Sequence, residues 1–428
     1  MPATGEETVS RLPRTDRGRA TRERLLHGAE EVFRERGYKA ASVSAICRRA
    51  GLAQGTFYLY FVSKEEVYVN LVEALQNDLV ATLRSSTAPN PDPRAQLIGA
   101  YDALLDFISE NAGLFQVFRE AEFVRPEIPK RFYAAVCAEL ISVLEAGIAA
   151  GAFRDLDPEV VAYAVLGAVF FLAVRYVMWE GRAIPPEARR VGADLIRQGI
   201  AGDRSPIKYG GEPASGSVQD SAAAPSPQGL EGGEATRHAL LIAAERAFGQ
   251  AGFHQTTIST ITYLAGVGQG TFYIHFPSKV AIFSELVREI SREFRYRQSL
   301  AVAHHVDRRA VEAEGFRSFL RWVRDHPGAY RIVREAEFVD ENVGKWYYTR
   351  LAQGYARGLS AGMNRGEIRR CDPEVLAYTL LGIGHFAGQR WELWGGEKPA
   401  EKALPDLISL ILYGALKEPH ATKVPCDY

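Results

Sequence analysis

The chain has 428 residues, enough for two or three domains of about 150 residues each. Hydrophobic residues are 47% and charged residues 24%, the balance of an ordinary globular protein. Fifty-one Lys and Arg against 52 Asp and Glu give a net charge of -1, which excludes a uniformly basic nucleic-acid coat and an acidic disordered chain.

In chain order, residues 1–20 form a basic arm with Arg11, Arg14, Arg17 and Arg19. Leu25, Leu26, Ala29, Val32 and Phe33 recur at helical spacing and predict a first helix ended by Gly37. Ser42 predicts the cap of a short helix from Val43 to Ala50, stopped by Gly51, and a third short helix runs from Gln54 to Tyr60. Ser63 with Glu66 predicts a capping box opening a longer fourth helix. Pro and Gly breakers divide the rest into helices near 94–111, 113–123, 128–150, 158–180 and 187–200. The apolar run Val160–Val174 ends at Arg175. It falls short of the roughly 20 residues a bilayer span needs and predicts a buried helix, with no membrane partner.

The same unit is then written again at an offset of 215. Gln54-Gly55-Thr56-Phe57-Tyr58 recurs as Gln269-Gly270-Thr271-Phe272-Tyr273, and Arg119-Glu120-Ala121-Glu122-Phe123-Val124 recurs from Arg334 to Val339. Residues 21–64 and 236–279 share 20 identities in 44 ungapped positions. A register held this far indicates a duplicated fold rather than a solenoid. Between the copies, residues 202–234 are rich in Gly, Ala, Ser and Pro and predict a flexible linker, with a reach on the order of 100 Å.

Two short helices joined by a glycine turn after an amphipathic helix form a helix-turn-helix candidate. Its third helix must enter a major groove about 12 Å wide, flanked by donors for phosphates. Gln54, Gly55 and Thr56 stand where base edges would be met, and Tyr58, Tyr60, Lys64, Arg48 and Arg19 where phosphates would. The Ser42 end of the second helix offers backbone N–H groups to a phosphate. The second copy presents Thr257, Gln269, Gly270, Thr271, Tyr273, His275 and Lys279 at the matching positions.

At these residues the chain resembles the TetR/AcrR family of transcriptional regulators. The family pattern, Ala-Gly-Val-Ser-x-Gly-Thr-Leu-Tyr-x-His-Phe followed by Ser-Lys, stands here as Ala50 to Phe61 with Ser63-Lys64, and again as Ala265 to Phe276 with Ser278-Lys279. The Ser before the third helix is replaced by Ala53 and Gly268, losing a cap worth roughly 0.5–1 kcal/mol. The resemblance implies an all-α fold of two units. Each has a helix-turn-helix head, at 21–66 and 235–281, and a helical ligand-binding and dimerisation part, at 67–201 and 282–418, with a tail at 419–428. It implies double-stranded DNA and a small effector as partners, and either an intrachain pseudo-dimer or a homodimer of tandem chains.

The dimer surface is expected on helices near 158–180 and 187–200, matched by 373–395 and 402–417. There Ala162, Ala164, Gly167 and Ala168, like Gly382 and Gly384, permit close approach. Polar residues kept in both copies within apolar surroundings are the candidate effector contacts. In the first copy these are Arg119, Glu122, Tyr133, Tyr163 and Arg175; in the second, Arg334, Glu337, Tyr348, Tyr378 and Arg390. The competing reading for the charged members is internal ion pairing, since Arg119 and Glu122 are i, i+3 partners.

The copies differ electrically. Residues 1–64 hold twelve Lys/Arg and seven Asp/Glu, a net of +5, whereas residues 216–279 hold three and four, a net of -1. Arg48 and Arg49 are replaced by Tyr263 and Leu264. The first head is therefore expected to bind DNA more strongly. An alternative class is an assembly protein whose second head no longer reads DNA. Cys47, Cys137, Cys371 and Cys426 show neither disulfide nor zinc spacing. Neither a catalytic set nor a metal or cofactor motif is visible, so no enzyme is expected. The first residues lack an apolar secretion segment, and the expected location is the cytoplasm.

Overall fold

The computed structural model describes residues 13, 15–88, 90–123, 125–210, 232–395 and 400–416. Arg11, Arg14, Glu231, Cys426 and the tail at 419–428 lie outside the described residues, as does most of the linker. Among the described residues there are eighteen α-helices and no strand. The first copy gives α1 (Asp16–Ala40), α2 (Val43–Ala50), α3 (Gln54–Tyr60), α4 (Lys64–Thr87), α5 (Pro93–Glu110), α6 (Ala112–Ala121), α7 (Glu127–Ala149), α8 (Pro158–Ala173) and α9 (Pro186–Gln198). The second gives α10 (Gly233–Ala251), α11 (Ile258–Ala265), α12 (Gln269–His275), α13 (Lys279–Val302), α14 (Arg308–Asp325), α15 (Pro327–Val339), α16 (Glu341–Asn364), α17 (Pro373–Ala387) and α18 (Ala400–Tyr413). Both α8 and α17 continue into a π-turn, Val174–Trp179 and Gly388–Leu393.

The chain forms two compact units. One takes Met1–Pro89 with Asp106–Glu139, the other Asn90–Leu105 with Leu140–Tyr428. In the first unit, α1 packs Leu25, Ala29, Val32 and Phe33 inward, each at most 2% exposed, while Leu26 is half-buried. Phe57 and Phe61 complete this core from α3 and its end. Gly37 bends α1 sharply with φ of 73°. That conformation brings the Tyr38 amide to Glu120 of α6, donating at 2.7 Å, where a Cβ on Gly37 would collide with the carboxylate. The same device recurs in the second unit: Gly252 has φ of 80°, and the Phe253 amide donates to Glu335 at 3.0 Å. Only glycine adopts such a backbone without strain.

In the second unit, α8 and α17 run through a common core. A Cβ built on Gly167 would lie 2.4 Å from the Gly382 carbonyl oxygen, and one on Gly382 would lie 1.9 Å from that of Gly167. These positions are 215 apart, and other contacts repeat with roles exchanged. Arg175 pairs with Glu374 at 3.1 Å and Arg390 with Glu159 at 2.6 Å. The Arg175 guanidinium lies over Tyr378, and that of Arg390 over Tyr163. Short antiparallel bridges join Phe153 to Leu416 and Ala201 to Ile368. Gly384 differs from the close-approach expectation, because its nearest side chains are Phe319 and Phe316 of α14.

Two sequence expectations change here. Glu127–Ala149 and Pro158–Trp179 are both long and apolar enough to cross a membrane by length and composition, so the latter is not too short; it is mostly buried inside the protein. The linker expected to begin at 202 starts with a docked segment. Arg309 of α14 donates to the Asp203 and Ser205 carbonyls at 2.6 and 2.8 Å, and the Gly210 amide donates to His305 Nδ1 at 3.1 Å.

Candidate nucleic-acid interface and effector cavity

Each head builds its reading helix from local signals. The Ala45 amide donates to Ser42 Oγ at 3.2 Å, and Gly51 ends α2 in the left-handed region with φ of 64°. Phe57 is fully buried, anchoring α3 so that Gln54, Gly55 and Tyr58 face outward, with Thr56 and Tyr60 half-buried. Neither Ala53 nor Gly268 gives its helix a side-chain cap. In the second head the Thr260 amide donates to Thr257 Oγ1 at 3.0 Å, Gly266 makes the left-handed turn, and Phe272 is the anchor. Gln269, Gly270 and Tyr273 are exposed, and Thr271 and His275 half-buried.

The basic residues divide. Arg48 is exposed on α2, whereas Arg49 is held by Glu35 at 2.6 Å and Glu31 at 3.5 Å. The hydrogen bond from Arg49 lowers the Glu35 pKa. Arg19 is exposed and pairs with Asp16. Lys64 and Lys279, assigned to phosphates from the sequence, are turned inward. Lys64 Nζ donates to the carbonyls of Tyr38, Lys39 and Ala41, at 2.7, 3.3 and 2.9 Å. Lys279 Nζ donates to those of Phe253 and Thr256, both at 2.8 Å. Three carbonyls use all three donors of an ammonium group, so Lys64 fastens the end of α1 to the start of α4 instead of reaching a phosphate. Where the first head has Arg48 and Arg49, the second exposes Tyr263, 84% accessible, and Leu264.

A cavity of about 450 Å³ lies in the second unit among α13, α14, α15, α16 and α17, with Phe171 of α8 in its wall. Phe294, Phe316 and Phe319 make it largely apolar. Polar side chains interrupt that surface, among them Gln298, Ser299 and Arg357. Glu312, 2% exposed, pairs with Arg308 at 2.6 Å and accepts from the Tyr355 hydroxyl. Burial, then the neighbouring Glu312, raises the Tyr355 pKa well above the usual range. The Tyr330 hydroxyl lies 3.1 Å from His385 Nδ1, and Gln389 Nε2 is 2.5 Å from His385 Nε2. Arg295 lines the cavity, and its pKa is lowered by burial first and by Arg350 and Arg292 next. Such a lining has room for an apolar or aromatic body and sets positive charge beside it.

Of the candidate effector contacts, Tyr348 alone lines this cavity. Arg175, Tyr378, Arg390 and Tyr163 meet at the α8–α17 contacts instead. Glu337 accepts from Trp179 Nε1 at 2.9 Å, and Arg334 lies over the Tyr330 ring. Arg119 and Tyr133 are buried in the first copy, where burial raises the Tyr133 pKa, and Glu122 is half-buried. Sequence reasoning missed Arg295, Arg308, Glu312, Tyr355 and His385. The available signal was the difference between the copies, which place Val80, Pro93, Leu97, Leu140 and Phe170 there.

The model of the TetR family of bacterial regulatory proteins matches twice, at residues 25–71 and 240–286. The transcriptional activator FasR of Mycolicibacterium smegmatis is 31% identical over 177 residues, 40% of this chain and 79% of that protein. The transcriptional repressor KstR2 of Rhodococcus jostii is 28% identical over 189 residues, 42% and 91% of the two chains. Among solved structures, the fatty acid degradation regulator FadR from Bacillus halodurans aligns at 22% identity and a TM-score of 0.38, over 41% of this chain and 93% of its own. The fold and paired reading heads define a helix-turn-helix transcriptional regulator. The chain belongs to the TetR family and carries the family's DNA-binding region in tandem.

Proposed function

We propose that the chain is a ligand-responsive regulator, a repressor in the simplest reading, that works as an intrachain pseudo-dimer in the cytoplasm. The observation that carries this is the exchange of roles between α8 and α17: Gly167 against Gly382, Arg175 on Glu374, and Arg390 on Glu159. A two-fold interface has this self-complementary form. One chain then supplies two heads, to be set about 34–36 Å apart for successive major grooves. Gln54, Thr56 and Tyr58, with Gln269, Thr271 and Tyr273, would read similar half-sites. Arg48 and the basic arm give the first head more phosphate contacts.

The effector in this reading is apolar or aromatic, with an anionic group for Arg295. It acts by favouring one head arrangement over another, since equal affinity for both would shift nothing. Light scattering of the full chain bound to DNA from upstream of its gene tests the proposal. One chain per duplex agrees with it, and an obligatory pair of chains contradicts it. The assembly reading is favoured by the exposed Tyr263, Leu264 and Ile274 on the second head. It requires Tyr273→Ala to leave DNA affinity unchanged.

A further inference from the structure

We infer that the chain senses with its second copy alone, binding one apolar-bodied effector per chain against a wall supplied by the first copy. This rests on the effector reading above and adds where the molecule binds and how many bind.

At several positions around the cavity the second copy is smaller or more polar than the first. Gly315 of α14 has no atom within 4 Å of where its Cβ would stand. A Cβ on Gly384 of α17 would meet Phe319 and Phe316 at 3.5 and 3.6 Å. Their counterparts 215 positions earlier are Ala100 and Val169, at most 1% exposed. Glu312, Tyr355 and His385 correspond to Leu97, Leu140 and Phe170, all buried. At these positions the first copy has neither the missing side chains nor the polar groups of the second.

The wall crosses the repeat. Phe171, on α8 of the first copy, lines the cavity and lies 4.9 Å from the Tyr348 ring, centroid to centroid. Next to it, Phe170 stacks on His385 at 5.3 Å with the planes 14° apart. Phe170 and His385 are equivalent positions in the two copies, so an occupant touching His385 presses on the contact that relates them. Cores repack between discrete arrangements rather than deforming continuously, which gives one ligand a route to both halves.

The test is calorimetric titration of the full chain with 8-anilinonaphthalene-1-sulfonate, an aromatic anion. One molar equivalent is expected. Gly315→Leu, which fills open space on a helix, and Gly384→Val, which copies the first repeat, each weaken binding at least tenfold with unchanged circular dichroism. Phe171→Leu weakens it severalfold although it lies in the other copy. Two equivalents per chain, or one equivalent insensitive to both filling variants, would overturn one-sided sensing while leaving an effector site. No saturable binding to the wild-type chain would contradict the effector reading itself.

Discussion

Gly167 and Gly382 stand 215 residues apart in the chain and backbone to backbone in the structure, with no room for a Cβ on either. The obstructing atoms are main-chain atoms, which cannot rotate away. Gly167→Ala and Gly382→Ala are therefore each expected to destabilise the chain by about 1–3 kcal/mol through overpacking. Chemical denaturation followed by circular dichroism checks this. The double variant should cost less than the sum of the singles, because one separation of α8 from α17 accommodates both methyl groups.

The ion pairs flanking that contact carry a second prediction. Arg390–Glu159 and Arg175–Glu374 join equivalent residues with roles exchanged. Both arginines are mostly buried, while Glu374 is 45% exposed. Double-mutant cycles with alanine should return about 0.5–1 kcal/mol for Arg390–Glu159 and less for the more solvated pair. A coupling of zero at both would remove these pairs from the forces joining the copies.

A third prediction concerns the attachment of each head. Glu335 is 1% exposed and accepts the Phe253 amide, as Glu120 accepts those of Tyr38 and Lys39. Glu335→Ala leaves that amide without its acceptor and is expected to cost about 1–3 kcal/mol. Hydrogen exchange at Phe253 should accelerate. Exchange at wild-type rate would show that the carboxylate does not hold the turn.

The second head should respond to pH. Burial, and then the nearby Glu293 and Glu289, raise the pKa of Glu245; burial, and then Glu285, raise that of Glu289. A carboxyl whose folded pKa exceeds its unfolded value costs stability at neutral pH. That cost is relieved as pH falls through the folded value towards the unfolded one. Glu245→Gln should therefore raise the melting temperature at pH 7, and the gain should vanish near pH 4. A gain that persists at pH 4 would contradict the assignment.

The reading helices were legible because their determinants are local. Ser42, Gly51, Phe57 and Ser63 each act within a few residues, and α2 and α3 have the expected limits. The tasks of Lys64 and Lys279 were not legible, because their acceptors lie 23 to 26 residues away. The cavity was missed for a different reason. Polar residues kept in both copies do not mark it: Arg175, Arg390, Tyr163 and Tyr378 are repeated and join the copies. A one-sided site lies where the copies disagree, as at Glu312 and Leu97. The start of the linker was also hidden, since a Gly- and Ser-containing segment gives no sign that Arg309 will bind its carbonyls.

The most direct test of the tandem regulator is a salt-dependent titration of the full chain on DNA from upstream of its gene, comparing wild type with Arg48→Ala, Tyr58→Ala and Tyr273→Ala. Affinity should fall steeply with salt, and Arg48→Ala should lower the salt slope by about one. Tyr58→Ala should cost more than Tyr273→Ala, with both measurable. Equal, large losses from the two tyrosines would contradict the unequal heads, and no salt-dependent binding would contradict DNA reading by this chain.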